Sequence, residues 1–151
     1  MKALSLWQPW ATLMAIGAKT IETRPRRMNY RGPLLICATK TWQPDILRRL
    51  RFARWTGNSP QDAWDRIAAA LCKAGFKSAG GLLLGAALCS VDVCDCVPTE
   101  DIRKTLWPEE LAFGDFRDGR FAILTNRLWR FSVPFPITGR QGLFEIEVPH
   151  A

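Results

Sequence analysis

The sequence predicts an α+β domain built as a mixed β-barrel with flanking helices. Three observations lead there. The elements run strand, helix, strand, helical insertion and then mostly strands, which is the order of a mixed barrel rather than of a repeating βαβ sheet. The 151 residues are 48% hydrophobic, with seven tryptophans and eight phenylalanines, enough apolar surface to offset the ordering entropy of one core. No repeat, linker or low-complexity stretch divides the chain, so residues 1–151 read as one domain with a helical insertion at about 42–80.

Met1 to Trp7 alternates apolar and polar residues as a short strand. Pro9 suits the first turn of a helix through Trp10, Leu13, Met14 and Ile16, which Gly17 ends. Thr20 to Thr23 is extended again, Pro25 breaks it, and Arg26 to Arg31 form a basic loop before the strand Gly32 to Ala38. In the insertion, Pro44 to Arg54 carries Ile46, Leu47 and Leu50 at helical spacing. Ser59-Pro60-Gln61-Asp62 reads as a capping box opening a second helix to about Ala74. Gly80-Gly81 releases the chain into a long β run, Leu82 to Val97. Thr99 is expected to cap a short helix that Pro108 stops near Trp107. Asp118-Gly119 predicts a hairpin turn between strands Ala112 to Phe116 and Arg120 to Phe131, and Gly142 to Val148 is the last strand.

The net charge of +7 comes from 21 Lys and Arg against 14 Asp and Glu. Fifteen of those cations are arginine, whose planar fork holds phosphate and stacks on bases, so the excess points to an anionic partner such as nucleic acid. No segment has the roughly 18–20 apolar residues of a membrane span, and the tryptophans and proline of MKALSLWQPW do not suit a signal peptide. A cytoplasmic protein with free thiols is the expectation for the five cysteines, Cys37, Cys72, Cys89, Cys94 and Cys96. Cys89-x4-Cys94-x-Cys96 falls short of a four-ligand zinc site, the single histidine is His150, and neither a metal nor a cofactor is expected. On a regular strand Cys94 and Cys96 would share a face. One terminal histidine also leaves no Ser-His-Asp or Cys-His pair.

The segment Ser5 to Arg24 carries the densest chemistry. Gly17-x-Lys19-x-x-Glu22-x-Arg24 spans the handover from helix to strand, so Glu22 and Arg24, two apart, point to one side with Lys19 leaning over it. The two cations bracket the carboxylate and stay available to a phosphate. Trp7 and Trp10 flank Pro9, where an aromatic face can stack on a base, and Arg24, Arg26, Arg27 and Arg31 add cations on the adjoining loop. Arg48, Arg49, Arg51 and Arg54 form a separate basic group on the inserted helix, with two readings, phosphate contact or solvated charge.

Ser5-Leu6-Trp7-Gln8-Pro9-Trp10 followed by Gly17-Ala18-Lys19-Thr20-Ile21-Glu22-Thr23-Arg24 resembles the signature of ASCH domains, named for activating signal cointegrator homology. Arg31 to Ile36, Gly85 to Val91 and Gly139 to Phe144 resemble later barrel strands of that family. The resemblance implies a PUA-like barrel with a cleft at the Lys-Glu-Arg motif that binds RNA or a modified nucleotide or nucleoside. The implied ligand-binding residues are Trp7, Gln8, Pro9, Trp10, Lys19, Thr20, Glu22, Arg24, Arg26, Arg27 and Arg31. The alternative it implies is a hydrolase at the same cleft, a ribonuclease or a modified-nucleoside amidohydrolase, with Lys19 and Glu22 catalytic. The amidohydrolases of the family use a lysine, a threonine and a glutamate; here those positions hold Lys19, Glu22 and Ala87. A further alternative is a protein-interaction adaptor. Lys19, Glu22 and Arg24 are expected to meet on one solvent-accessible concavity.

Overall fold

The computed structural model describes residues 1–56 and 60–149. The six strands form one curled, half-barrel sheet. They are β1 (Lys2–Leu6), β2 (Ile21–Arg24), β3 (Gly32–Ala38), β4 (Ala86–Pro98), β5 (Phe121–Pro136) and β6 (Leu143–Glu145). Their order across the sheet is β2-β5-β4-β3-β1-β6. Only β1 and β3 run parallel, and the chain between them carries the helix α1 (Trp10–Ala15) and β2. Parallel neighbours need such a crossover. Arg24 on β2 donates a guanidinium hydrogen bond to the Ser5 carbonyl on β1 at 3.2 Å, although β5, β4 and β3 lie between those strands in the ladder. The sheet therefore curls far enough to bring its β2 edge back to β1, which is the α+β, PUA-like architecture the sequence predicts.

Successive side chains of β1 and β3 point to opposite faces, so that Leu4, Leu6, Leu34 and Ile36 pack with Met14 of α1 inside the curl. Residues 39–85 hold α2 (Pro44–Phe52) and α3 (Ala63–Lys73), whose Leu50, Ile67 and Leu71 join Leu13 and Phe113 in a second cluster. This helical layer rests on the outer side of α1. A third cluster, Ala3, Leu35, Cys37, Ala87, Ile137 and Phe144, lies on the opposite face of β1 and β3. No helix among the described residues is long and apolar enough to cross a membrane.

Several boundaries differ from the sequence expectation, each for a local reason. α3 starts at Ala63, because Asp62 is the N-cap and accepts from the Asp65 amide at 2.9 Å. Ser59, the expected cap, lies outside the described residues. The β run begins at Ala86 rather than Leu82: residues 79–81 form a 3-10 turn, and the Leu83 carbonyl accepts the Gln8 side-chain amide at 2.6 Å. Thr99 does not cap through its side chain; its hydroxyl donates to the Arg117 carbonyl at 2.7 Å, and Pro98 precedes the short helix α4 (Thr99–Ile102). Pro108 opens a further helix, α5 (Pro108–Ala112), instead of ending one, as its fixed φ suits a first helical position.

Asp118-Gly119 is a turn, but not of a hairpin, because Ala112 to Phe116 is not a strand. Phe113 and Phe116 are buried in two different clusters, and the Asp115 amide is held by the Thr23 hydroxyl at 3.0 Å, so the segment packs as an irregular wall. The last strand is shorter than expected, Leu143–Glu145. Cys94 and Cys96 do not share a face: a bulge between Val93 and Asp95 leaves Cys94 exposed and Cys96 buried. All five cysteines are free thiols.

Candidate functional site

The Gly-Lys-Glu-Arg motif is built from the end of α1 and the whole of β2. Gly17, at φ +78°, turns the chain out of α1 in a conformation that L side chains rarely adopt. A Cβ there would also lie 3.3 Å from the Leu128 side chain. The Lys19 amide then bonds back to the Leu13 carbonyl, and β2 pairs with β5 in the register Glu22↔Ile123 and Arg24↔Phe121. Glu22 and Arg24 consequently face one way and Ile21 and Thr23, both buried, the other.

Glu22 and Arg24 line a cavity of about 1110 Å³ between β1, β2, the wall at 112–115 and the loop at 138–142. The loop comes very close to β1: a Cβ on Gly139 would sit 2.5 Å from the Ser5 hydroxyl, so a side chain there would force that hydroxyl to move. Trp7, 39% exposed, and Trp10 line the same space, and Trp10 is braced by Trp64 of α3 with ring centroids 6.2 Å apart. Five cations, Arg24, Arg26, Lys40, Arg120 and Arg140, face two carboxylates, Glu22 and Asp115. Asp115 binds Arg117 at 2.7 Å and lies 3.4 Å from Arg120; the Arg117 hydrogen bond, more than the nearby charges, pushes its carboxyl down to about 2. Among the described residues Arg26, Lys40 and Arg140 have no ion-pair partner.

Lys19 does not reach this space. It is buried, 1% exposed, and its Nζ donates to the carbonyls of Ile21 at 2.5 Å and Phe113 at 2.7 Å, with Glu22 Oε1 at 3.8 Å. Burial lowers its pKa from the ordinary lysine value, and Glu22 and Glu110 oppose that shift. Lys19 thus sits beneath Glu22, on the side away from solvent. Glu22 itself accepts from the Thr23 amide at 2.8 Å, and its other oxygen lies 4.0 Å from Arg24. The carboxylate is bracketed by two cations, one buried and one facing the cavity.

Of the residues singled out from the sequence, Trp7, Trp10, Glu22, Arg24 and Arg26 line the cavity. The others are placed elsewhere. Gln8 is buried, bonding the Leu83 carbonyl and accepting from the Thr12 amide, and Pro9 is buried beside it at the entry to α1. The amide and hydroxyl of Thr20 are taken by the Glu110 carboxylate. Arg27 donates to the Cys96 carbonyl at 2.9 Å and lies over the Phe121 ring at 4.8 Å. Arg31 bonds the Met28 and Tyr30 carbonyls and pairs with Asp95.

Lys40, Asp115, Arg120 and Arg140 line the cavity without having been expected there. Asp115 and Arg120 were hidden by the misassigned hairpin. Arg140 stands between two glycines in Gly139-Arg140-Gln141-Gly142, a signal that a tight loop presents a cation. Lys40 carries no signal beyond following a buried strand.

The ASCH domain family model matches residues 4–137, which span β1 to the end of β5 and hold most of the cavity lining. The chain belongs to that family. In this ASCH domain Glu22 and Arg24 line the cavity, Lys19 lies buried beneath them, and α2 and α3 form a helical layer between β3 and β4. No curated protein is significantly similar to the chain.

Proposed function

We propose that this ASCH domain binds single-stranded RNA, or a modified nucleotide or nucleoside, in the cavity beside Glu22 and Arg24. The observation that carries the reading is the group of unpaired cations, Arg26, Lys40 and Arg140, around a space that also exposes Trp7. The cations take phosphates, and the indole of Trp7 stacks on a base. Glu22 accepts and Arg24 donates hydrogen bonds at the base edge, an adjacent acceptor and donor on a rigid strand. Membership of the ASCH family supports RNA as the general class of ligand.

Binding has more support than hydrolysis at this cleft. The Lys19 ammonium is engaged by two carbonyls and cut off from solvent, so it does not meet a ligand as a nucleophile or acid would. Ala87 is fully buried in the third cluster and brings no carboxylate to the cavity. Lys19 acts as a positioning residue for Glu22.

Fluorescence anisotropy with a labelled single-stranded RNA tests the reading. Three phosphate contacts predict that log affinity falls with log salt at a slope of about −2. Trp7→Ala is expected to weaken binding by roughly 5- to 150-fold, the equivalent of about 1–3 kcal/mol for one stacked base. Absence of binding at low salt, or an affinity indifferent to both salt and Trp7→Ala, rejects the cavity as an RNA site.

A further inference from the structure

A run of positive charge begins at the cavity and continues along the helix that follows it. Lys40, Arg48, Arg49, Arg51 and Arg54 against Asp45 give residues 40–54 a net charge of +4, more than half of the +7 of the whole chain. Lys40 lines the cavity, and α2 begins at Pro44, four residues on, so this basic stretch starts at the proposed RNA site and leads away from it. At about 100° per residue, Arg51, Arg48, Phe52 and Arg49 fall within an arc of about 160°, with Leu50 directly opposite. Leu50 is fully buried and Phe52 is 84% exposed, so the arc is the outer face of α2. Asp45 pairs with Arg48 on this face at 3.4 Å, whereas Arg49 and Arg51 have no ion-pair partner among the described residues.

We propose that the outer face of α2 is a second contact for single-stranded RNA, extending the grip that begins at the cavity. Arg49 and Arg51, with Arg48, hold phosphates, and Phe52 stacks on a base. The proposal takes its ligand class from the cavity reading and adds a separate surface. Two features favour RNA over a lipid surface. The cations are arginines, which bind phosphate through paired donors and flank an aromatic ring that has no apolar neighbour on its face. A lipid surface requires a broad apolar face, yet Ile46, Leu47 and Leu50 are turned inward or half-buried and Phe52 is the one large apolar side chain of α2 left outside.

The test compares labelled single-stranded RNAs of about 4 and about 16 nucleotides, the span of known single-strand sites on one domain. The protein variant is Arg49→Gln, Arg51→Gln, Phe52→Ala combined; all three side chains are exposed, and a circular dichroism melt checks that the variant folds. Wild type should bind the longer RNA more tightly. The variant should lose at least about 30-fold on the longer RNA, with a salt slope shallower by about 1.4 for two lost phosphate contacts, and nothing on the shorter one. Equal affinity of wild type and variant for the longer RNA overturns the proposal, as does an equal loss on both lengths. So does α2-dependent binding to phosphatidylserine vesicles without an effect on RNA. If the short RNA binds and length adds nothing, α2 is not a contact and the cavity reading stands. If only the longer RNA binds, and through α2, the cavity reading falls and α2 stands; if neither binds, both fall.

Discussion

Lys19→Met separates a structural lysine from a ligand-binding one. The substitution keeps an unbranched side chain as far as Cε and removes the ammonium that donates to the Ile21 and Phe113 carbonyls and lies 3.8 Å from Glu22. Removing one partner of a buried ion pair costs about 3–5 kcal/mol, because the remaining groups stay buried without it. Burial already disfavours the Lys19 ammonium, as its lowered pKa shows, so relief of that penalty places the loss near the lower end, about 3 kcal/mol. For a chain of this size each kcal/mol lowers Tm by about 2–4 °C, which gives a drop of about 6–12 °C. Thermal melts followed by circular dichroism, with urea titration for the free energy, read it directly. Arg24→Gln is the control: Arg24 is partly exposed and faces the cavity, so Tm should move by no more than about 3 °C while RNA affinity falls. A Lys19→Met protein that melts within about 2 °C of wild type yet loses RNA binding would refute this reasoning and return Lys19 to the ligand.

The buried thiols of Cys37 and Cys89, both pushed up to about 12 by desolvation, predict loss of stability in alkali. A group whose pKa is higher in the folded state stabilises fully below its unfolded value, here 9.0, and that contribution is lost as pH rises towards 12. Each thiol contributes a slope of about 1.4 kcal/mol per pH unit in that window, and Lys19, with a lowered pKa, offsets part of it below the ordinary lysine value. Urea titrations between pH 8.5 and 11, values set by about the ordinary thiol range, should show the decline and a shallower one in Cys89→Ala; a flat profile would count against buried, neutral thiols. Asp65 accepts from the amides of Arg54 at 2.9 Å and Gln61 at 3.0 Å, tying the ends of the α2–α3 connection to α3. Those two backbone hydrogen bonds, Arg54 first, hold its pKa down, so its contribution is present above the ordinary value of 3.8 and is lost as pH falls through the depressed one. Asp65→Asn should lower Tm at neutral pH and flatten the acid limb; an unchanged melt and acid limb would rule out this clasp.

What the sequence revealed and what it hid have physical reasons. β1, α1, β2 and β3 were legible almost to the residue, because each carries its own punctuation: Pro9 at the entry to a helix, Gly17 at its exit, Pro25 after an extended run, Gly32 at the start of a buried strand. The segment from Thr99 to Arg120 was misread because its structure is set by partners distant in sequence. Thr23 holds the Asp115 amide, Lys19 holds the Phe113 carbonyl, and Thr99 holds the Arg117 carbonyl. Local propensity sees none of these. The same limit hid half of the site. Spacing placed Glu22 and Arg24 on one face, as they are, but Lys19 turns inward because the carbonyls that capture its ammonium include one from the far wall. Likewise, the resemblance implies a ligand-binding role for Gln8, which instead joins α1 to the Leu83 carbonyl.

These long-range bonds give the motif a division of labour. Lys19 donates to Phe113, and Glu110 of α5 accepts from the Thr20 and Ile21 amides, so β2 is joined at two points to the segment that leads into Gly114 and Asp115. That segment is the cavity wall opposite Arg24, and Arg120 is fixed to it through the Asp115 carbonyl at 3.0 Å. The buried end of the motif therefore ties β2 to the segment that carries Asp115 and Arg120, while the exposed end, Glu22 and Arg24, faces the cavity. On this account Glu22 belongs to both ends: one oxygen lies near the buried ammonium and the other near the cavity-facing guanidinium. The Thr23 amide anchors the same carboxylate at 2.8 Å, which narrows the directions in which it presents its remaining lone pairs. Fixed acceptors favour a ligand that is itself planar and rigid, as a nucleobase is, over a flexible anion that would need the site to adapt.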